Sequence, residues 1–559
     1  MSDAHLAIVL HAHLPFVHHP EHKAFLEEEW FFEAVTETYV PILLAWNRLS
    51  DEGVPFRVTL SLTPTLLEMF VNPLLKQRCR QYLNRRIELA QKEARHKGRS
   101  AGERAVALHY LERFRQVRDF LFRKHDGDLV PAFKEIQDAG RLEVLASAAT
   151  HGFLPLMLTP NAVRAQVEIG VETVTRHLGR RPKGFWLPEC AYRPGMDRAL
   201  AEAGIRYFLV DAHGILNAFP TSPHGVHAPV VCPSGVAAFG RDLEASKQVW
   251  SSEEGYPGDG AYREFYRDLG YDASYDYIEP YLHDDGVRRN LGLKYYRVTG
   301  RVGLHEKQLY DRAAAVRKAM EHGGHFVFCR QHQLRFLKSK LSVPPIVVAP
   351  YDAELFGHWW YEGPEFLEEV FRASQLVRDD YVVSTLSEYL DQHPPEQVST
   401  PSSSSWGDKG YFEVWLNGAN DWIYRHLHKA EERMAELAGR AAGKKKPAAA
   451  VRAARSAKLR AALSRSTSLT AMSLSNGNVE WAALQQAARE LLLAQSSDWA
   501  FLMATGGAAP YAEKRTRNHL HRFTRLYEMI RSGNVDRKYV ESLYAMNPIF
   551  PDLDCRAFL

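Results

Sequence analysis

Five stretches of this chain gather histidines and carboxylates just after apolar runs. They are His11-Ala12-His13 after residues 6–10, His151-Gly152-Phe153-Leu154-Pro155 after 142–149, and Trp186-Leu187-Pro188-Glu189 closing a run that starts at Gly184. Asp211-Ala212-His213 follows 207–210, and Tyr351-Asp352-Ala353-Glu354-Leu355-Phe356-Gly357-His358-Trp359-Trp360 follows 345–349. Two chemistries compete for such a set. In a retaining glycosidase, two carboxylates about 5–5.5 Å apart flank a sugar; one attacks the anomeric carbon while the other protonates the leaving oxygen. Glu189 and Asp352 fill those roles. The other chemistry is a metal-dependent hydrolysis, because H-x-H on a first strand, further histidines and a late Asp also describe a two-metal site. Phe16, Phe153 and Trp359 beside the histidines suit a wall that hydrogen-bonds hydroxyls and stacks on sugar rings, and the chain has no H-E-x-x-H motif.

Positioning these residues calls for a particular scaffold. Apolar runs over 6–10, 56–61, 142–149, 184–187, 207–211, 325–329 and 345–349 read as strands, and helical patterns over 33–49, 161–177 and 309–322 lie between several of them. About seven βα steps predict an α/β fold, a barrel related to the (β/α)8 type, whose chemistry sits at the strand C-termini. Strand side chains alternate, so His11 and His13 project to one side. Glu189, between Trp186, Pro188 and a strand end, is expected to be half desolvated. Residues 74–138 interrupt the alternation with charged helical sequence (76–97, then 103–123) and read as a helical insertion within a catalytic unit spanning 1–400. A Pro/Ser-rich linker, 393–405, leads to a helical C-terminal unit, 401–559, in which 441–474 is a low-complexity Ala/Lys/Arg/Ser stretch.

Composition narrows the partner. With 70 basic and 67 acidic residues, the formal charge of +3 gives no bulk attraction for nucleic acid or an anionic membrane. A neutral substrate fits better, and 11 Trp and 25 Tyr supply rings for stacking. The five scattered cysteines form no C-x-x-C pair, which points to a reducing cytoplasm. No export signal and no membrane span is read from the sequence.

In order along the chain, His11-Ala12-His13-Leu14-Pro15, His151-Gly152-Phe153-Leu154-Pro155, Trp186-Leu187-Pro188-Glu189, Tyr351 to Trp359 and Ser496-Ser497-Asp498-Trp499 closely resemble the motifs of glycoside hydrolase family 57. Within it they resemble the subgroup of 1,4-α-glucan branching enzymes with a C-terminal helical domain of the DUF1957 type. The resemblance implies a (β/α)7 barrel, a distorted TIM-like barrel, with a retaining mechanism and no cofactor or catalytic metal. It makes Glu189 the nucleophile and Asp352 the acid/base. By the same analogy His11, His13 and His151 line the donor-sugar site; the strand-end clusters themselves add Asp211, His213, His358, Trp359 and Trp360 as further expected substrate contacts. Trp406, Trp415 and Asp498 resemble the residues by which the helical part closes the cleft. The implied partner is an α-glucan (amylose, starch or glycogen), bound by a monomer.

Branching requires a sugar 6-hydroxyl to capture the glycosyl-enzyme before water does. Branching members of the family resemble one another in a mobile loop tipped by a tyrosine. The corresponding segment is read here as 232–259, which has no tyrosine between Pro233 and Glu254; Tyr256 or Trp250 is the expected substitute. Three readings follow: a branching transferase first, then a hydrolytic α-amylase on the same scaffold, then a non-catalytic glucan-binding protein, against which the retention of both Glu189 and Asp352 argues.

Overall fold

The computed structural model describes residues 3–251, 254–442 and 476–559. Strand β1 (His5–Ala12) sets the logic of the sheet. Its odd residues Ala7 and Val9 join an interior cluster with Leu145, Tyr207, Leu209, Phe239, Ile346 and Val348. Its even residues Leu6, Ile8 and Leu10 face outward into the apolar layer beneath the helices. Both faces are buried, so the strand reads as a continuous apolar run rather than an alternating one.

Beside β1 lie β2 (Val58–Leu62) and β8 (Ile346–Asp352); beyond β2 follow β3 (Leu142–Ser147), β4 (Gly184–Trp186), β5 (Tyr207–Val210) and β7 (Ala237–Gly240), all paired in parallel. These seven strands make a distorted barrel. A two-residue antiparallel β6 (Val230–Val231) lies outside β7, and β9 (Val382–Val383) pairs with β1. The edges β7 and β8 carry no ladder between them; the Asp242 amide donates to Val348 O (2.9 Å) and Tyr351 Oη to Ala245 O (2.8 Å) across the gap. At the N-terminal end of the strands, helix Leu386–Gln392 plugs the barrel with Leu386, Tyr389 and Leu390.

One expected strand is corrected. Residues 325–329 lie inside the helix Arg312–Lys340, and the strand that takes their place is β7, which the sequence reading passed over. A five-residue apolar run cannot be distinguished from a buried helical turn by periodicity; here Phe326 is buried while Phe328 is exposed, as a helix surface requires. The Ala-Ala-Phe-Gly of β7 carries no alternation at all.

Between β2 and β3, helices Pro73–Ala94 and Ala101–Arg118 pack as a pair. Asn72 caps the first by accepting from Leu74 N and Leu75 N, and Ser100 with Glu103 forms a capping box on the second. After residue 401 the chain runs irregularly to Trp422, then through helices Trp422–Ala441, Asn476–Ala494, Ser497–Thr505, Ala509–Ser532 and Arg537–Met546. Their Met434, Leu437, Leu484, Leu491 and Phe523 belong to the same continuous apolar cluster as the barrel's outer layer. The low-complexity stretch expected over 441–474 falls from 443 onward outside the described residues.

Candidate active site

Strand parity brings chemistry to the C-terminal mouth. Continuing the interior-facing positions past the apolar plug places His11 on β1, Ser61 on β2 and Asp352 on β8, and the register sets His11 directly beside both Ser61 and Asp352. The same continuation on β5 leads from Leu209 to Asp211; Glu189, three residues past Trp186, is out of that parity and reaches the mouth through the turn that follows β4.

Glu189 sits immediately past β4 at φ 61°, ψ 23°, a left-handed conformation costing a non-glycine residue on the order of 1 kcal/mol. His151 (φ 54°) and Cys190 (φ 48°) share it. Neighbouring elements hold this backbone: Trp406 N donates to Glu189 O (3.1 Å), and Ser497 N to His151 O (2.9 Å). Both donors come from the C-terminal part of the chain. The Glu189 carboxylate is held there too, Oε2 accepting from Trp406 Nε1 (3.1 Å) and Oε1 from Ser497 Oγ (2.9 Å). Burial pushes its pKa up; the Trp406 hydrogen bond opposes that, Asp498's charge adds to it and the Ser497 hydrogen bond opposes it again.

Asp352 differs in kind. No hydrogen-bond donor reaches its carboxyl among the described residues. Burial, then the charges of Glu354 and Glu189, push its pKa well above the usual carboxylate range, with only Arg241 opposing. One carboxylate is therefore solvated by fixed donors and the other is disposed to keep its proton, the divergence expected of an acid and a nucleophile sharing one site.

Around them stands a wall of histidine. His13 stacks on His151 with ring centroids 3.8 Å apart, and His11 stacks on Trp186 at 4.4 Å. His11 Nδ1 lies 3.1 Å from Ser61 Oγ and its Nε2 3.1 Å from His151 Nε2. His13 Nδ1 faces Thr63 Oγ1 (3.1 Å), its Nε2 faces both Asp498 oxygens (3.1 Å), and His151 Nδ1 faces Ser497 Oγ (2.8 Å). Burial, reinforced by His13, holds His11 and His151 well below the usual imidazole range. Burial acts on His13 in the same sense, but Asp498, by charge and hydrogen bond, turns its shift upward. Among the described residues one group, His13, His151 and Asp498, has ligand-type atoms within 4.8 Å of one another. All six ring nitrogens of the three histidines already face protein partners, the pairing of a hydrogen-bonded wall.

Several supporting residues were not singled out from sequence. Arg241, just past the unread β7, binds Asp211 (3.2 Å), and its guanidinium lies 5.8 Å from the Trp406 ring centre. A π-helical turn, Ala34–Tyr39, aims two side chains at the segment after β8: Tyr39 donates to Glu354, and Glu37 binds His358 Nδ1 (2.8 Å). Gly357 (φ +127°) permits this, since a Cβ there would stand 1.9 Å from Glu37 O. Ser61, a generic hydroxyl in sequence, becomes conspicuous only through its partners, and Ser497, though it stands in the 496–499 motif, takes its role only from its own.

Of the expected site residues, Glu189, Asp352, His11, His13, His151, Trp406 and Asp498 come together at the mouth. Asp211 is tied to Arg241, and His213 Nε2 donates to Gly410 O (2.6 Å). Trp250 (41% exposed) and Trp359 (43%) form an open aromatic pair with ring centres 5.9 Å apart. Three expectations are corrected. Trp360 (1% exposed) packs on Phe366 and Tyr262. Trp415 (1%) stacks on Phe153 at 4.7 Å, one layer behind the mouth. Tyr256 is buried, its hydroxyl on His325 Nδ1 (2.8 Å), so it tips no loop. The segment 232–259 is itself not a free loop: it contains β7 and the helix Leu243–Trp250.

A parallel barrel whose mouth pairs an acid-disposed carboxyl with a donor-held carboxylate among histidines and tryptophans defines a glycoside-active enzyme. Comparison with known proteins makes the class specific. Residues 7–401 match the model of Glycosyl hydrolase family 57, and residues 458–558 match that of the 1,4-alpha-glucan branching enzyme, C-terminal. The chain belongs to glycosyl hydrolase family 57. It is 34% identical to a 1,4-alpha-glucan branching enzyme of Thermococcus kodakarensis, over 98% of this chain and 77% of that protein. Among solved structures it is similar to the alpha-amylase AmyC of Thermotoga maritima (40% identity, TM-score 0.87, 99% of both chains). It is also similar to the branching enzyme of Pyrococcus horikoshii (31%, TM-score 0.83, 100% of this chain and 97% of that one).

Proposed function

We propose that the chain is a 1,4-α-glucan branching enzyme acting by double displacement. Glu189 attacks the anomeric carbon of an α-1,4-linked glucan as Asp352 gives its proton to the departing 4-oxygen. Asp352, now a carboxylate, takes the proton of a 6-hydroxyl on a second glucan segment, whose oxygen displaces Glu189 and leaves an α-1,6 branch. The observation that carries this assignment is the contrast between the carboxyls: Glu189 has a fixed donor on each oxygen, whereas Asp352 has none among the described residues and lies beside two other acids. Asp498, which fixes His13, offers a partly exposed carboxylate to hydroxyls of the donor sugar, and His11 and His151, their nitrogens already paired, hold the wall in place behind it. The open Trp250 and Trp359 rings suit stacking of an incoming chain. The unit spanning 1–400 supplies the barrel, and 401–559 completes its mouth. The match of 458–558 to the branching-enzyme C-terminal family, and relatives bearing that name over almost the whole chain, favour transfer. Free cysteines throughout suit a reducing cytoplasm, and we take the working form to be a monomer.

A second reading has its own support. The alpha-amylase AmyC, at 40% identity, is more similar in sequence than the Pyrococcus horikoshii branching enzyme at 31%, and no tyrosine occurs between Pro233 and Glu254. On that reading, water captures the glycosyl-enzyme. Proton NMR of amylose after incubation separates the two: new α-1,6 anomeric signal with few new reducing ends establishes branching, and reducing ends without α-1,6 signal overturn it in favour of hydrolysis.

A further inference from the structure

Hydrogen-bond bookkeeping around Glu189 leaves one self-consistent assignment of protons. An ionised carboxylate only accepts, so the single hydroxyl proton of Ser497 is committed to Glu189 Oε1, 2.9 Å away. The Ser497 oxygen must then accept from His151 Nδ1, 2.8 Å away, which places a proton on that nitrogen. His151 is neutral, so its Nε2 is a bare lone pair facing His11 Nε2 at 3.1 Å, and His11 must be the donor. His11 is neutral in turn, so its Nδ1 accepts from Ser61 Oγ at 3.1 Å. Reversing any one link leaves either two protons or two lone pairs facing each other.

The setting makes this order costly to break. Ser61 (0% exposed), His11 (2%), His151 (1%) and Ser497 (1%) are sealed from water, so no solvent molecule substitutes for a missing partner. Resting on Glu189 as nucleophile, we infer that Ser61, His11, His151 and Ser497 form one directional hydrogen-bond chain that orients the Glu189 carboxylate, with Ser497 as its terminal positioning residue. The chain begins on β2, passes through β1 and the turn after β3, and reaches Glu189 only by way of the C-terminal helix Ser497–Thr505. Closure of the helical part onto the barrel is thereby coupled to the orientation of the nucleophile. The bridge between Gly152 and Ser496 and the bond from Ser497 N to His151 O register that closure.

The charged or titratable groups facing Glu189 are His13, His151, Cys190, Asp498 and Asp352; neither serine ionises. Loss of the Ser497 hydroxyl therefore acts on Glu189 by removing a donor, which raises its pKa. The test uses the full chain with Ser497→Ala, Ser497→Thr and Ser61→Ala. Each variant is assayed for kcat and KM on amylose across pH, together with 15N NMR of histidine-labelled wild-type enzyme. Expected for Ser497→Ala is a kcat loss of about tenfold to a hundredfold, KM within about twofold, and an acid limb moved up by about one pH unit. Ser497→Thr keeps the hydroxyl and restores the acid limb. Ser61→Ala moves the limb in the same direction by less, and the spectra show His11 protonated on Nε2 and His151 on Nδ1. An unmoved acid limb in Ser497→Ala, or the opposite histidine tautomers, overturns the chain. Trapping with a slow fluorinated glycosyl fluoride and mapping the labelled peptide separates the two failures. Label on Glu189 with an unmoved limb sinks this inference alone, and label elsewhere sinks the nucleophile assignment beneath it.

Discussion

Trp406→Phe isolates what the indole N–H does for Glu189. The substitution keeps an aromatic ring against Trp186 and His11, which the indole meets edge-on at 5.0 and 6.2 Å, and deletes only the donor 3.1 Å from Oε2. A hydrogen bond to a charged group is worth about 1.5–3 kcal/mol. The Glu189 side chain is 15% exposed, so water recovers part of it and the lower figure applies. At about 1.4 kcal/mol per unit, the Glu189 pKa, already raised, should rise by roughly one further unit. The sign follows directly: a carboxylate with a higher pKa needs a higher pH to ionise. Activity is lost on the acid side and recovers as pH rises, so the acid limb of kcat/KM on amylose should move up by about one unit with a small change on the plateau. An unmoved or downward-moving limb refutes the argument. A uniform loss at every pH, carried by KM, would mean that Trp406 serves sugar stacking rather than the nucleophile.

Glu354→Gln removes a negative charge that, after burial, is the main influence raising Asp352, while the amide oxygen can still accept from Tyr39 and from His13 N; the pKa of the acid falls, and the alkaline limb of kcat should move to lower pH. An alkaline limb that stays put or rises would remove Asp352 from the role of proton donor. Trp415→Ala should cost about 3–5 kcal/mol of stability in denaturant melts, because a fully buried ring stacked on Phe153 leaves a large cavity; a loss below about 1 kcal/mol would place the ring in the cleft instead. Dialysis against a chelator should leave amylose turnover unchanged. Loss restored by zinc would make the His13, His151 and Asp498 group a metal site and displace the two-carboxylate chemistry.

What the sequence offered by itself was a set of candidate groups and their level at the ends of the apolar runs. His11 and His13 follow one apolar run, and alternation with a period of two is a property of the backbone, so their common side was legible before any packing was known; that Asp352 lies beside His11 was decided by the register of β8 on β1. The ordered motifs carried the family and hence the barrel. Tertiary structure alone decided which aromatic residues face the substrate: Trp359 and Trp360 are neighbours in sequence, yet one is 43% exposed and the other 1%. It also decided the strand at 237–240, because four small or apolar residues carry no period to read, and the helix over 325–329, where a short apolar run fits either backbone. Arg241 went unread with its strand. Ser61 and Ser497 could not be singled out, since a serine hydroxyl acquires a role only from its partners. Ser497 meets Glu189 across 308 residues of chain; the motif around Asp498 pointed to closure of the helical part on the barrel, but only the packing set which hydroxyl reaches which oxygen.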